Sequence, residues 1–161
     1  MKIKSLFAIL LCLVLSLGLV ACGGETAEKN VDLNAVMTEV NNKHGLSSEN
    51  MNTISDAETL ELYYGIKAED VKQFAVTTTK TPATDATEII LVEANDADSA
   101  KRVKEALTNE YNRLASNSAS YSPELLDVVS NSKVETVGNF VTLIVHAQAK
   151  DVTETVYSFL K

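Results

Sequence analysis

The sequence predicts an α+β domain: a mainly antiparallel sheet with two long helices on one face, and further helices on its N-terminal side. Three observations lead there. Apolar residues recur at helical spacing in residues 33–40, 100–114 and 152–160. Strand-like runs come in pairs, at 71–79 with 88–94 and at 134–137 with 140–147. The order strand, strand, helix occurs twice, over 71–114 and 133–160, and its simplest packing puts both helices on the same side.

The chain opens with Lys2 and Lys4, then an apolar run over 6–20 broken only by Ser16 and Gly18. This is the charged and hydrophobic layout of a signal peptide. A membrane-spanning helix needs about 20 apolar residues, and here the run collapses at Cys22-Gly23-Gly24-Glu25. Leu19-Val20-Ala21-Cys22 resembles the lipobox of bacterial lipoproteins. The resemblance implies a diacylglyceryl thioether on Cys22, cleavage between Ala21 and Cys22, and anchoring on the extracytoplasmic side of the cell membrane. The expected organisation is a signal peptide over 1–21, a flexible polar tether over 22–31 and one domain over 32–161.

Removing 21 of 161 residues leaves 140, enough for one domain with a real core. The removed segment carries two lysines and no acid, so 12 basic and 22 acidic side chains remain, a net charge of −10. Such a surface gives no electrostatic help toward nucleic acid or an anionic bilayer. Membrane lipid is therefore expected as a partner only through covalent attachment at Cys22. Cys12 leaves with the signal peptide and Cys22 is committed to lipid, which excludes a disulfide, thiolate-ligated metal and thiol catalysis.

Within the domain, Asp32 caps a first helix whose stripe is Leu33, Val36, Met37 and Val40, and His44-Gly45 stops it. A second helix starts at Ser55 or Asp56, carries Leu60 and Tyr64 on one face, and closes at Gly65. Residues 46–54 between them are read as holding a short helical turn. From Val71 the period becomes that of a strand, with Phe74, Val76 and Thr78 on one side. After a polar connection, Ile89, Ile90, Leu91 and Val92 in succession fit an inner strand covered on both faces. Asp96 then caps an amphipathic helix with Ala100, Val103, Leu107, Tyr111 and Leu114 inward. Val103 and Leu107 are expected to pack on Val92 and Leu143. Residues 116–122 read as a small polar loop, and Ser122 or Pro123 begins a short helix around Leu125, Leu126 and Val129. A hairpin turns at Gly138-Asn139, and a terminal helix from Asp151 directs Val152, Val156, Tyr157 and Leu160 inward.

Taken together, Leu62-Tyr63-Tyr64-Gly65-Ile66, the strands 74–78 and 88–92, the helix 97–114 with Val103 and Leu107, and the segment 134–145 resemble a family. It is that of uncharacterised Firmicute lipoproteins with a conserved domain of unknown function, and the likeness covers residues 33–160. The resemblance implies fold and anchoring. It carries no activity, cofactor or functional residue.

Individual residues give little support for catalysis. His44 and His146 are the imidazoles, and Ser99 sits in a helix first turn where capping is its ordinary role. No histidine pair has metal-ligand spacing on one helical face. Glu58 with Glu61, and Asp96 with Asp98, fit helix solvation and capping better than the facing carboxylates of a glycosidase. Asp96, Asp98 and Ser99 lack the spacing of a calcium loop, and no glycine-rich phosphate loop occurs. No cofactor is expected. The functional expectation is a binding or accessory module of the cell envelope, with an envelope protein, peptide or glycan as partner; the alternative is a cell-envelope hydrolase. The surface singled out is the sheet face opposite the long helices, with Ile89, Leu91, Phe140 and Ile144 near Tyr63. The competing reading places that row beneath the first helix as a second small core.

Overall fold

The computed structural model describes residues 30–161. The expected signal peptide, the expected cleavage between Ala21 and Cys22, the expected lipid attachment at Cys22 and nearly all of the expected tether lie outside them. The described chain runs α1 (Leu33–His44), β1 (Met51–Ile54), α2 (Ala57–Tyr64), a 3-10 turn (Ala68–Asp70), β2 (Val71–Thr79), β3 (Glu88–Ala94), α3 (Ala97–Tyr121), α4 (Pro123–Ser130), β4 (Val134–Val137), β5 (Phe140–Val145) and α5 (Ala149–Leu160). The strands form one sheet in the order β1-β2-β3-β5-β4. Every neighbouring pair is antiparallel. The α+β class with an antiparallel sheet and N-terminal helices is thus the observed one.

Local chemistry sets the helix ends as expected. The Asp32 carboxylate accepts the N–H groups of Asn34 and Ala35, that of Asp56 accepts Thr59, and that of Asp96 accepts Asp98 and Ser99. Gly45 and Gly65 take left-handed φ values of 69° and 67°, and the N–H of each bonds back to a carbonyl of the last turn. Gly138, at φ 57°, turns the β4–β5 hairpin.

The sheet carries two separate cores because its inner strands are apolar on both faces. On one face Val76, Ile90, Val92, Val141, Leu143 and Val145 meet Leu60 of α2, Val103 and Leu107 of α3 and Val129 of α4. This includes the expected packing of Val103 and Leu107 with Val92 and Leu143. On the other face Ala75, Ile89, Leu91 and Ile144 meet Leu33, Val36, Met37 and Val40 of α1 and Val152, Val156 and Leu160 of α5. Each fully buried aliphatic side chain is worth about 1.5–3 kcal/mol, so neither face could stay open without a large loss.

This arrangement corrects the expectation of two long helices on one face. The strand, strand, helix order does occur twice, but α3 and α5 lie on opposite faces. The physical reason is that α2, α3 and α4 already fill the first face, while Ile89, Leu91 and Ile144 still need cover. Gln73 fastens α1 in place. Its Oε1 accepts the Leu33 N–H (3.0 Å), and its Nε2 donates to the Val31 carbonyl (2.6 Å) and to Glu93 (2.5 Å). Val31 is itself buried, so the packed region starts one residue before the expected boundary.

Two further local expectations change. Residues 51–54 form an edge strand, with Met51 opposite Thr79 and Ile54 opposite Val76; the turn lies just before it. Residues 116–121 continue α3 as helix. No glycine or proline interrupts them before Pro123, and Ser118 is buried.

Candidate functional site

The four sheet-face residues singled out from sequence are not at the surface. Ile89, Leu91 and Ile144 are buried beneath α1 and α5, and Phe140 is half-buried against the same core. The expectation of an exposed apolar strip there is corrected, because α1 and α5 together cover the row. Tyr63 is exposed, but it belongs to α2 on the opposite side of the sheet and does not join the other four.

A different concavity lies on Tyr63's side. It is a cleft of about 1110 Å³ between α2, the edge strand β1, the 82–88 segment and the C-terminal part of α3. Its walls include Leu62, Tyr63 and Tyr121, which are 79%, 67% and 85% exposed. A fourth exposed large apolar residue, Phe159, lies on α5 away from this cleft. Leu62 and Tyr63 face outward because Leu60 and Tyr64 take the buried side of the short helix α2. Tyr121 reaches the cleft only because α3 runs on past Leu114.

Acidic chemistry sits at the cleft's inner wall. Glu88 begins β3 on the same side of the strand as Ile90 and Val92, and its side chain faces α3. Glu110 lies one turn after Leu107 on the inward stripe of α3, and both acids are buried. The Glu110 carboxylate accepts hydrogen bonds from Arg113 Nε (2.8 Å) and from Arg113 Nη2. No donor reaches Glu88 Oε1. Burial pushes the Glu88 carboxyl up to about 8, helped by the charge of Glu110 and a hydrogen bond to it, with Arg113 and Thr78 opposing. A proton on Glu88 lets the acid donate to its neighbour and relieves a buried, unpaired acceptor. The same surroundings raise the Tyr64 hydroxyl, through burial first and then the charges of Glu88 and Glu110.

This pair escaped the sequence reading, which weighed acids by their spacing along the chain. Two signals were there: Glu110 interrupts an apolar stripe at an inward position, and Glu88 opens a strand whose every residue is buried. The acids that were singled out have ordinary roles. Glu58 and Glu61 are exposed, Asp96 caps α3, and Asp98 pairs with Lys101 (2.7 Å). Ser99 is a buried first-turn residue whose Oγ accepts from Arg102 Nη2 (3.1 Å).

The two histidines meet each other outside this cleft. Their ring centroids are 5.8 Å apart in an edge-on arrangement, with His44 Nε2 3.5 Å from Thr155 Oγ1. His146 is held below the usual imidazole range by burial and by His44, against the opposing charge of Asp85. Among the described residues no group of three metal-ligating side chains converges. Nor is any described helix long and apolar enough to cross a membrane.

No curated protein and no solved structure matches the chain. The family described as Domain of unknown function (DUF4358) matches residues 44–146, a span that begins and ends on the two histidines and takes in the sheet, α2, α3 and the cleft, and the chain belongs to that family.

Proposed function

We propose that the chain is an extracytoplasmic lipoprotein of a Gram-positive cell envelope, held to the membrane through lipid on Cys22, and that its domain is a binding module whose site is the Tyr63–Tyr121 cleft. One observation carries the binding reading: three of the most exposed large apolar side chains converge on one concave surface. Exposed apolar patches around a concavity are characteristic of ligand and partner sites. The basic start, apolar run and lipobox-like Leu19-Val20-Ala21-Cys22 support the anchor. A peptide or a glycan fits the cleft's dimensions and its tyrosine rim.

The hydrolase alternative draws on a specific feature, the protonated Glu88 beside the Glu110 carboxylate. Against it, Glu88 Oε1 is closed off from solvent and both Glu110 oxygens are engaged by Arg113. A general acid must reach the bond it cleaves.

The test is photocrosslinking in intact cells, with a photoreactive phenylalanine analogue replacing Tyr63, Tyr121 or Phe159 in the full-length protein. The reading predicts discrete adducts from Tyr63 and Tyr121 and none from Phe159. Equal yields at all three positions, or none at the two cleft positions, would refute it.

A further inference from the structure

Beside the cleft, one edge of the sheet is open. Among the described residues no strand lies beyond β1, which pairs with β2 alone and without a bulge. The Lys80 N–H donates to the Asn50 carbonyl (2.9 Å), so by alternation Asn52 with Thr78 and Ile54 with Val76 are the hydrogen-bonded pairs. Met51 and Thr53 lie between these pairs and direct their backbone groups away from β2. The Ser47 carbonyl takes the Met51 N–H (2.9 Å). That leaves the Met51 carbonyl and the N–H and carbonyl of Thr53, an exposed residue, facing outward. The opposite edge is guarded by charge, with Glu135 of β4 paired to Lys133. β1 is short, which limits pairing to a few bonds, but it carries neither charge nor proline.

The side chains of Asn52 and Ile54, which alternate with Thr53, line the cleft. A strand laid against β1 would therefore send every second side chain into the cleft, toward Leu62, Tyr63 and Tyr121. A sugar ring could stack on the tyrosines, but it would not pair with the outward backbone groups of β1. Charge narrows the peptide further. Among the described residues that line the cleft, Arg113 is the one cation, and Glu110 holds it through two hydrogen bonds. Asp85 accepts from the Thr87 hydroxyl (2.7 Å) and N–H (2.9 Å), which hold it below its usual range against burial, so it stays a carboxylate. Glu58, one turn before Leu62, and Glu124, at the start of α4, add exposed acids at the rim. Lys80, near the start of β1, is held by the Ser48 and Glu49 carbonyls. A second copy of the chain would bring the same acids, and a net charge of −8, to this site. We propose that an extended basic peptide segment of another protein adds to β1 as a further strand, its apolar side chains in the cleft and a lysine or arginine at Asp85. This rests on the reading of the cleft as a binding site and names its occupant.

Fluorescence anisotropy on the full-length protein in detergent micelles tests this at low salt. The probes are dye-labelled, blocked hexapeptides that alternate threonine with valine, leucine, phenylalanine or tyrosine, the last apolar position being replaced by lysine. A counterpart set carries glutamate in place of the lysine. Saturable binding is expected, about tenfold tighter for the lysine set, and Asp85→Asn should narrow that preference. The tightest peptide is then N-methylated on one or the other alternate set of amides. Only alternate N–H groups of an added strand meet β1, so one methylated form should bind about tenfold more weakly and the other should keep its affinity. Thr53→Pro, which removes the outward N–H and no bond to β2, should weaken binding by a similar factor; if that variant does not fold, the methylated peptides on the unchanged protein decide. An equal effect from both methylation patterns, no preference for lysine, no saturable binding of any peptide, or binding of an N-acetylglucosamine trisaccharide in their place overturns the proposal. If it fails while crosslinking at Tyr63 and Tyr121 persists, the occupant is wrong and the cleft reading stands; loss of both removes the cleft reading as well.

Discussion

The substitution Glu88→Gln should stabilise the protein at neutral pH, and the gain should disappear in acid. The folded state holds the Glu88 proton up to about pH 8, whereas an unfolded glutamate releases it near its ordinary 4.5. Between these values folding takes up a proton, so stability falls as pH rises and levels off above about 8. The slope is at most about 1.4 kcal/mol per pH unit, which puts the ceiling at pH 7 at roughly 3 kcal/mol. Water entering from the cleft lowers that ceiling, and about 1–3 kcal/mol is expected. The glutamine side chain of the variant has no proton to lose, and its amide can donate to Glu110 as the acid does. Urea unfolding followed by circular dichroism at pH 5, 6, 7 and 8 gives the comparison. His146, held below its usual range, contributes in the opposite sense, since its folded-state neutrality adds stability as pH rises toward 6.5. Taking the difference between the two proteins cancels it. The variant should match the parent near pH 5 and exceed it progressively toward pH 8. A difference that does not change with pH would refute the assignment of the proton to Glu88.

Four more expectations follow from the packing and the anchor. Leu107→Ala should cost about 2–5 kcal/mol in the same urea assay, while Lys104→Ala on the exposed face should stay within roughly 0.5 kcal/mol; similar small losses would reject the inward stripe. Ile144→Ser should cost about 2–5 kcal/mol and leave Tyr63 crosslinking unchanged, because its side chain belongs to the second core; unchanged stability with lost adducts would restore that face as an interface. Gly65→Ala should cost about 1–2 kcal/mol, since nothing crowds an added Cβ and the left-handed φ of 67° is the only penalty; a stability gain would contradict the helix-closing role. Cys22→Ser should abolish metabolic lipid labelling and normal cleavage, and equal labelling would remove the anchor.

The parts of the fold that were legible were those written locally. Asp32, Asp56 and Asp96 cap their helices through their own side chains, and Gly45 and Gly65 end two of them through their own backbone freedom, so no distant residue was needed to place these ends. The unread parts depended on distant partners. Residues 51–54 become a strand only through pairing with 76–79. The face chosen by α5 depends on what α2, α3 and α4 already occupy. The row Ile89, Leu91 and Ile144 illustrates the same limit, since its apolarity was visible while its cover, drawn from both ends of the domain, was a tertiary fact. Of the five residues singled out as a binding surface, Ile89, Leu91, Phe140, Ile144 and Tyr63, only Tyr63 lines the cleft. Glu88 and Glu110 are 22 positions apart in sequence and meet only because α3 crosses the start of β3.

The most direct test of the central claim is amide hydrogen exchange on the full-length protein in the envelope fraction where the proposed anchor would hold it, before and after extraction into detergent and washing. The cleft reading predicts that the membrane-bound form is protected in α2, in residues 82–88 and in the last turns of α3, and that washing removes this protection while α1 and α5 stay unchanged. Protection confined to α1 and α5, or no difference between the two forms, would contradict it.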